Sequence, residues 1–322
     1  LLAATGAVEA GGCGGISDTR REGVPTANGG SGDYSGNPIM GPGTGGGRPF
    51  LVQGAALMAE AVRRSDWATP ANRRQPIEPV MPELRRALAA SWRDAALMEH
   101  ASIAAFARFS LELLALGAPP DLVRDAAQAM ADEQRHAELC FGLASAYGGV
   151  PLGPGALDVR SCLSDVSLAN VLVTTFLEGC LGETIAAIEA RERARRVHDP
   201  VVEAALYRIA EDEARHAALA WRFVKWALGE SAAGLEDALF AALETERERL
   251  VAVEPLPRGV SDELAFAHGL LPPAERARLR REVLDEIVAP CLAALCPPRA
   301  SGVFHAAPAG AESGAPTPAR VA

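Results

Sequence analysis

Two stretches of this chain, ADEQRHAELC (131–140) and EDEARHAALA (211–220), carry the pentad Asp-Glu-x-Arg-His within runs rich in alanine and leucine. The two glutamates, Glu133 and Glu213, lie eighty positions apart. On a helix each pentad sets its Glu and its His three positions apart on one face, about 4.5 Å along the axis. One such pair alone reads as a solvated hydrogen bond on a helix surface. Two in register, both among Ala, Leu, Cys and Trp, demand a fold that brings charged groups together inside a core, because an isolated buried charge is prohibitively costly.

The surrounding pattern supplies such a fold. From about Pro82 the chain reads as long Ala/Leu-rich segments of helical period separated by breakers. The first runs from about Glu83 to Leu116 and stops at GAPPD. The second starts at Asp121 and stops at YGGVPLGPG. The third begins near Asp165 and ends at VHDP, where Asp199 suits an N-cap and Pro200 the first helical position. The fourth ends at about Leu228, before Gly229. Short links within each pair and a longer one between pairs predict an all-α fold, a four-helix bundle of two hairpins with a crossover. The pentad occupies the same place in each hairpin, which points to an internal duplication. Two or three further helices, from about Leu235 to Leu295, are expected to pack onto the bundle.

Two Glu and two His are too few for a buried two-metal site, so the other two helices should each add a carboxylate. The first offers Glu99, on a stripe with Trp92, Ala95, Ala96, Ser102, Ile103 and Phe106. The third offers two candidates in FLEGCLGETIAAIEA. Glu183 shares its face with Phe176, Gly179, Cys180, Ala186, Ala187 and Ala190 and stands level with Glu213 across the turn at Asp199, so it is expected inside. Glu178 falls with Glu189 and Arg196 on what reads as the solvent side, and is kept as the alternative ligand. Four carboxylates balance two divalent cations, and mixed oxygen and nitrogen donors suit iron or manganese. The expected ligands are Glu99, Glu133, His136, Glu183, Glu213 and His216, with two iron ions or an iron–manganese pair as cofactor.

Glu99, the DEQRH and DEARH pentads and Glu183 together resemble the ferritin-like di-iron carboxylate superfamily, over about residues 85 to 228. The doubled pentad is similar to the signature of its oxygen-activating branch, which includes ribonucleotide reductase small subunits, bacterial multicomponent monooxygenases, and tRNA-modifying hydroxylase and arylamine oxygenase lineages. The resemblance implies a ferritin-like bundle over 81–230, and Asp132 and Asp212 as acceptors that orient the opposite histidines. It implies Arg135 and Arg215 as partners of those aspartates or of surface acids. It further implies a di-iron oxidase or oxygenase acting on dioxygen or peroxide, with a small-molecule substrate and an external electron donor. Iron storage in the manner of ferritins is the alternative, against which stand the long N-terminal stretch and extra helices that would hinder a shell. A metal-free helical interaction module is the third reading. A rubrerythrin-like peroxidase would need a rubredoxin-type cysteine quartet, which the sequence lacks.

Of the remaining candidates, Cys180 reads as a core residue, and Trp92, Trp221 and Tyr207 read as packing residues rather than electron carriers. His100 points about 100° away from its neighbour Glu99. With a net charge of −10 and Lys225 the single lysine, the chain has no basic stripe for nucleic acid. Six cysteines without CxxC spacing suggest neither a zinc site nor a disulfide framework. No apolar run reaches the roughly 18 residues of a membrane span. Residues 1–80, rich in Gly, Ser and Pro, are expected to form a tether, and 298–322 an unpacked tail. The opening LLAATGAVEAGGCGG resembles the end of a bacterial lipoprotein signal, with Cys13 as lipidation site and an envelope location. An ordinary unpacked N-terminus on a cytoplasmic protein is the other reading.

Overall fold

The structure, a computed structural model, describes residues 48–68, 80–163, 165–230, 234–249 and 256–296. Cys13, most of the expected tether and the expected C-terminal tail lie outside the described residues.

The fold is mostly helical, as the periodicity predicts. Helix α1 spans Pro82–Ala115 and α2 spans Pro120–Gly148; the short turn between them makes an antiparallel hairpin. A left-handed Gly149 (φ 76°) ends α2, its N–H donating to the Ser145 carbonyl, a conformation that glycine adopts without a Cβ clash. Helices α3 (Leu168–Thr175) and α4 (Thr184–Ala194) are continuous through a π-helical stretch, Phe176–Glu183. Asp199 then accepts from the Val201 N–H at 2.9 Å, and Pro200 opens α5 (Pro200–Glu230), as expected of those two residues. This second antiparallel pair lies against the first mainly through α2 and α5.

The C-terminal helices are α6 (Leu235–Glu248), α7 (Asp262–Ala267), α8 (Pro273–Glu282) and α9 (Ala289–Leu295), with a second π-helical stretch, Val283–Val288, joining the last two. Leu239, Leu243, Leu284, Val288 and Leu292 join Phe176, Leu177 and Phe223 in one apolar cluster, so these helices complete the core. They also carry the buried Arg280–Glu246 pair at 2.5 Å.

Residues 48–68, which composition assigns to the tether, lie on the helices. Strands β1 (Leu51–Val52) and β2 (Ala55–Ala56) form a tight hairpin, and β3 (Ala61–Arg63) pairs antiparallel with β4 (Leu152–Pro154). Arg48, Phe50 and Leu51 are buried. Sequence reasoning missed this strap because its anchors are single residues in a Gly-rich stretch with no period to read.

Continuous helix over Leu168–Ala194 also corrects the membrane-span reading. It is long and apolar enough to cross a membrane by composition, but 89% of its apolar window is buried inside the protein. Its hydrophobicity is that of a core element.

Apolar packing divides around a charged layer. One cluster contains Phe106, Phe109, Leu122, Phe176 and Phe223, and the other Leu84, Trp92, Phe141, Leu206 and Ile209. On each long helix the residues between these clusters are the predicted ligands. The close approach of the π-helical stretch to α5 depends on Gly179, where an added Cβ would sit 2.4 Å from the Ala220 Cβ. Gly179→Ala should therefore destabilise the fold by about 1–3 kcal/mol through overpacking, read as a lower denaturant midpoint at unchanged m-value.

Candidate metal centre

All six expected ligands converge. Glu99, Glu133, His136 and Glu213 form one group, and Glu133, Glu183, Glu213 and His216 a second, with one ligand atom per residue within 4.8 Å of the others. The two groups share Glu133 and Glu213, so these carboxylates lie where they could bridge two ions. The i,i+3 spacing on α2 and α5 sets each His beside its own Glu, with His136 Nδ1 3.8 Å from Glu133 and His216 Nδ1 3.5 Å from Glu213. Antiparallel packing of α2 on α5 adds the cross-contacts, 3.5 Å from His136 Nδ1 to Glu213 and 2.9 Å from His216 Nδ1 to Glu133.

The outer sides of the imidazoles are crossed. His136 Nε2 lies 3.0 Å from Asp212, and His216 Nε2 lies 3.3 Å from Asp132. Each pentad thus contributes the aspartate that orients the other's histidine, which is the arrangement the resemblance implies. The arginines of the pentads follow the aspartates: Arg135 pairs with Asp132, while Arg215 reaches Asp212 at 2.5 Å and Asp132 at 3.3 Å. Arg208 adds a contact to Asp212 at 3.2 Å.

On the inner side, the donor atoms have no hydrogen-bond partner of acceptable geometry. Glu99 Oε2, both oxygens of Glu133, Glu183 and Glu213, and Nδ1 of both histidines are buried and unpartnered. Buried polar atoms are nearly always satisfied, so this many orphans aimed at one another need something between them. Four carboxylates and two imidazoles whose Nε2–H groups face aspartates leave both Nδ1 lone pairs inward, a donor set that fits two divalent ions.

Without metal, protons must do this work. Burial raises Glu99 and Glu183 well above the usual carboxylate range, reinforced by the neighbouring charges of Glu133 and Glu213 respectively. Burial and the Glu213 charge oppose ionisation of Glu133, and burial opposes that of Glu213, yet both are held below the usual value. The facing imidazoles do this, joined by Glu183 in the case of Glu213. Burial also disfavours the imidazolium forms, but Asp212 and Asp132, with the facing glutamates, raise His136 and His216 well above their usual value. Protonation of Glu99, Glu183 and the two imidazoles is thus favoured, which offsets the charge of Glu133 and Glu213 within the layer.

The third-helix ambiguity is resolved by geometry, with a correction. Glu183 is in the cluster; Glu178 is not, but it is not on the solvent side either, being fully buried. It accepts from Arg48 Nε at 3.0 Å and from the Leu51 N–H at 2.8 Å, and pairs with Arg108. Glu189, expected beside it in solvent, is also buried and meets Arg276 of α8 at 3.3 Å. Both acids are covered by segments outside the four-helix pattern, Glu178 by the strap at Arg48 and Leu51 and Glu189 by α8, and the π-helical stretch between them departs from the 3.6-residue turn on which the stripe was drawn. Arg48 also lies over the rings of Phe106 and Phe109, at 4.9 and 4.5 Å. Arg108 and Glu112, spaced i,i+4 on α1, were the sequence signal for this second buried charge group, and their separation is 3.4 Å.

The other candidates lie outside the cluster. Cys180 is a buried core residue, His100 packs edge-on against Trp67, Trp221 against Phe176, and Tyr207 is at the surface. Comparison with protein-family models, curated proteins and solved structures finds no match for this chain.

Two outcomes follow. Glu178→Ala leaves Arg48 and Arg108 buried without their shared carboxylate and should cost about 3–5 kcal/mol in chemical denaturation, whereas Glu183→Ala removes an unpartnered acid and should cost far less. Metal-free protein should also lose stability as pH rises. The folded state holds Glu99, Glu183, His136 and His216 protonated above their unfolded values, so it binds more protons than the unfolded chain across the neutral range. Glu112, raised from 4.5 to about 7 chiefly by burial, acts with the same sign over that window. Melting temperatures of chelator-treated protein should fall from about pH 5 to pH 8.

Proposed function

We propose that the chain is a ferritin-like four-helix bundle that binds two iron ions, or an iron–manganese pair, and acts as an oxidase or oxygenase on dioxygen or peroxide. The observation that carries this reading is the pair of four-residue groups sharing Glu133 and Glu213, whose inward donor atoms lack any other partner. The doubled Asp-Glu-x-Arg-His pentad supports it independently, through its resemblance to the oxygen-activating branch of that superfamily.

Glu99 and His136 would hold one ion, Glu183 and His216 the other, and Glu133 and Glu213 both. Reduced ions bound there would supply the electrons and open coordination that dioxygen or peroxide activation requires. The chain's own residues prepare the site. Asp212 and Asp132 keep the Nε2–H tautomer of each imidazole and fix its plane. Burial opposes ionisation of Asp132 and Asp212, but the facing imidazoles, with Arg135 and Arg215 beside them, hold both below the usual value, which favours that tautomer. Phe106 packs edge-on against His216 at 5.1 Å and, with Phe109 and Phe223, excludes water on that side. A small-molecule substrate and an external electron donor complete the reading.

Elemental analysis after anaerobic ferrous loading and desalting tests it. About two irons per chain are expected, with uptake lost in Glu133→Ala and Glu213→Ala and kept in folded Glu178→Ala. Because protons on Glu99, Glu183, His136 and His216 offset the charge of the metal-free layer, filling both positions should release protons in weakly buffered solution. Absence of bound iron, manganese and zinc together would overturn the reading.

A further inference from the structure

The charged layer is not closed equally on its two sides. Towards the start of α3 it meets Phe106, Phe109 and the Arg48 guanidinium stacked on them. Towards the α4–α5 turn it meets a cavity of about 10 Å³, just enough for one water. All four long helices line it, with Trp92 and Glu99 from α1, Cys140 from α2, Glu189 and Arg193 from α4, and Ile209 from α5.

Small cavities lined by apolar side chains stay dry, while those with several polar partners are hydrated. This one has such partners. Trp92 Nε1 and Glu99 Oε2 are both buried without a hydrogen bond, on side chains about 1% exposed. Arg193 stacks over the Trp92 ring at 4.5 Å and donates from Nε to the Gly269 carbonyl at 2.7 Å. Glu189 pairs outward with Arg276, whose side chain is 15% exposed. A line of polar groups therefore runs from the cluster through the cavity to the surface under α8.

We infer that this cavity is a binding site for a single water-sized hydrogen-bonding molecule, held between the Trp92 indole N–H and the carboxyl group of Glu99, which borders both the cluster and the cavity. It makes the Glu99 side the solvent-facing side of the cluster. Water is the resting occupant, and hydrogen peroxide belongs to the same chemical class. An indole N–H can only donate and a carboxyl oxygen can accept whether or not the group is ionised, so a molecule that does both satisfies the two orphans at once. The occupied site does not require metal. Its role as the route by which solvent reaches the ions rests on the proposed function.

The test is water-to-protein cross-relaxation by NMR on ¹⁵N-labelled, metal-free protein. The chain has four tryptophans, and the indole signal lost in Trp92→Phe identifies the residue. A long-lived water should give a cross-peak of dipolar sign at the Trp92 indole proton, and that peak should be lost in folded Ala95→Leu and Ala190→Val, which fill the cavity. No cross-peak in the wild type, or one that survives both fillings, overturns the site. For the solvent route, manganese-loaded protein should enhance water-proton relaxation, and the enhancement should fall in Ala95→Leu at equal manganese content. Unchanged relaxation overturns the route. Failure to take up manganese, iron or zinc overturns the metal reading and the route together, while the indole cross-peak would still establish the water site.

Discussion

Four glutamates facing one another inside a helical core would tear it apart if all were ionised. The structure depends on the compensation of that charge. In the metal-free chain the burial of Glu99 and Glu183 and the carboxylates around His136 and His216 all favour the protonated forms, which offset that charge in a low-dielectric setting. The same six side chains, stripped of those protons, carry the charge that two divalent ions would balance. The layer's charge can thus be offset by protons or by metal.

Holding these groups at contact distance is the work of what surrounds them. Apolar clusters on both sides press the helices together, and Asp132 and Asp212 act across the α2–α5 contact so that neither pentad is complete without the other. A separate buried charge group, Arg48 and Arg108 around Glu178, ties the N-terminal strap to α1 and the π-helical stretch. It keeps a fifth carboxylate away from the cluster by giving it cations of its own. Such buried networks are strongly destabilised by loss of one member, so the strap is part of the folded unit.

Much of the site was legible in the residues. Periodicity located the long helices, breakers located their ends, and the i,i+3 spacing of Glu133 with His136 and Glu213 with His216 marked one face on each. Glu99 stood out as a lone acid in an apolar stripe. The interior position of Glu183 followed from its height against Glu213. The surroundings of Glu178 and Glu189 were not legible, because the strap and α8 that cover them come from outside the four-helix pattern and the local π winding interrupts its period. Arg48 and Arg276 were invisible for another reason: nothing in a Gly-rich stretch or a short charged helix says that a particular arginine will be buried against an acid over 80 positions away.

The sequence by itself determined that the chain is helical, that its two hairpins repeat one charged pattern, and which six side chains would have to meet. These are properties of spacing along one strand of chain, and local geometry converts spacing into faces directly. Only the tertiary structure decided that Glu133 and Glu213 are shared between two groups, that each aspartate serves the opposite histidine, and that one side of the layer is sealed by aromatic rings while the other keeps a polar cavity. Those features depend on distances between helices, which packing sets through many side chains at once and no local period encodes.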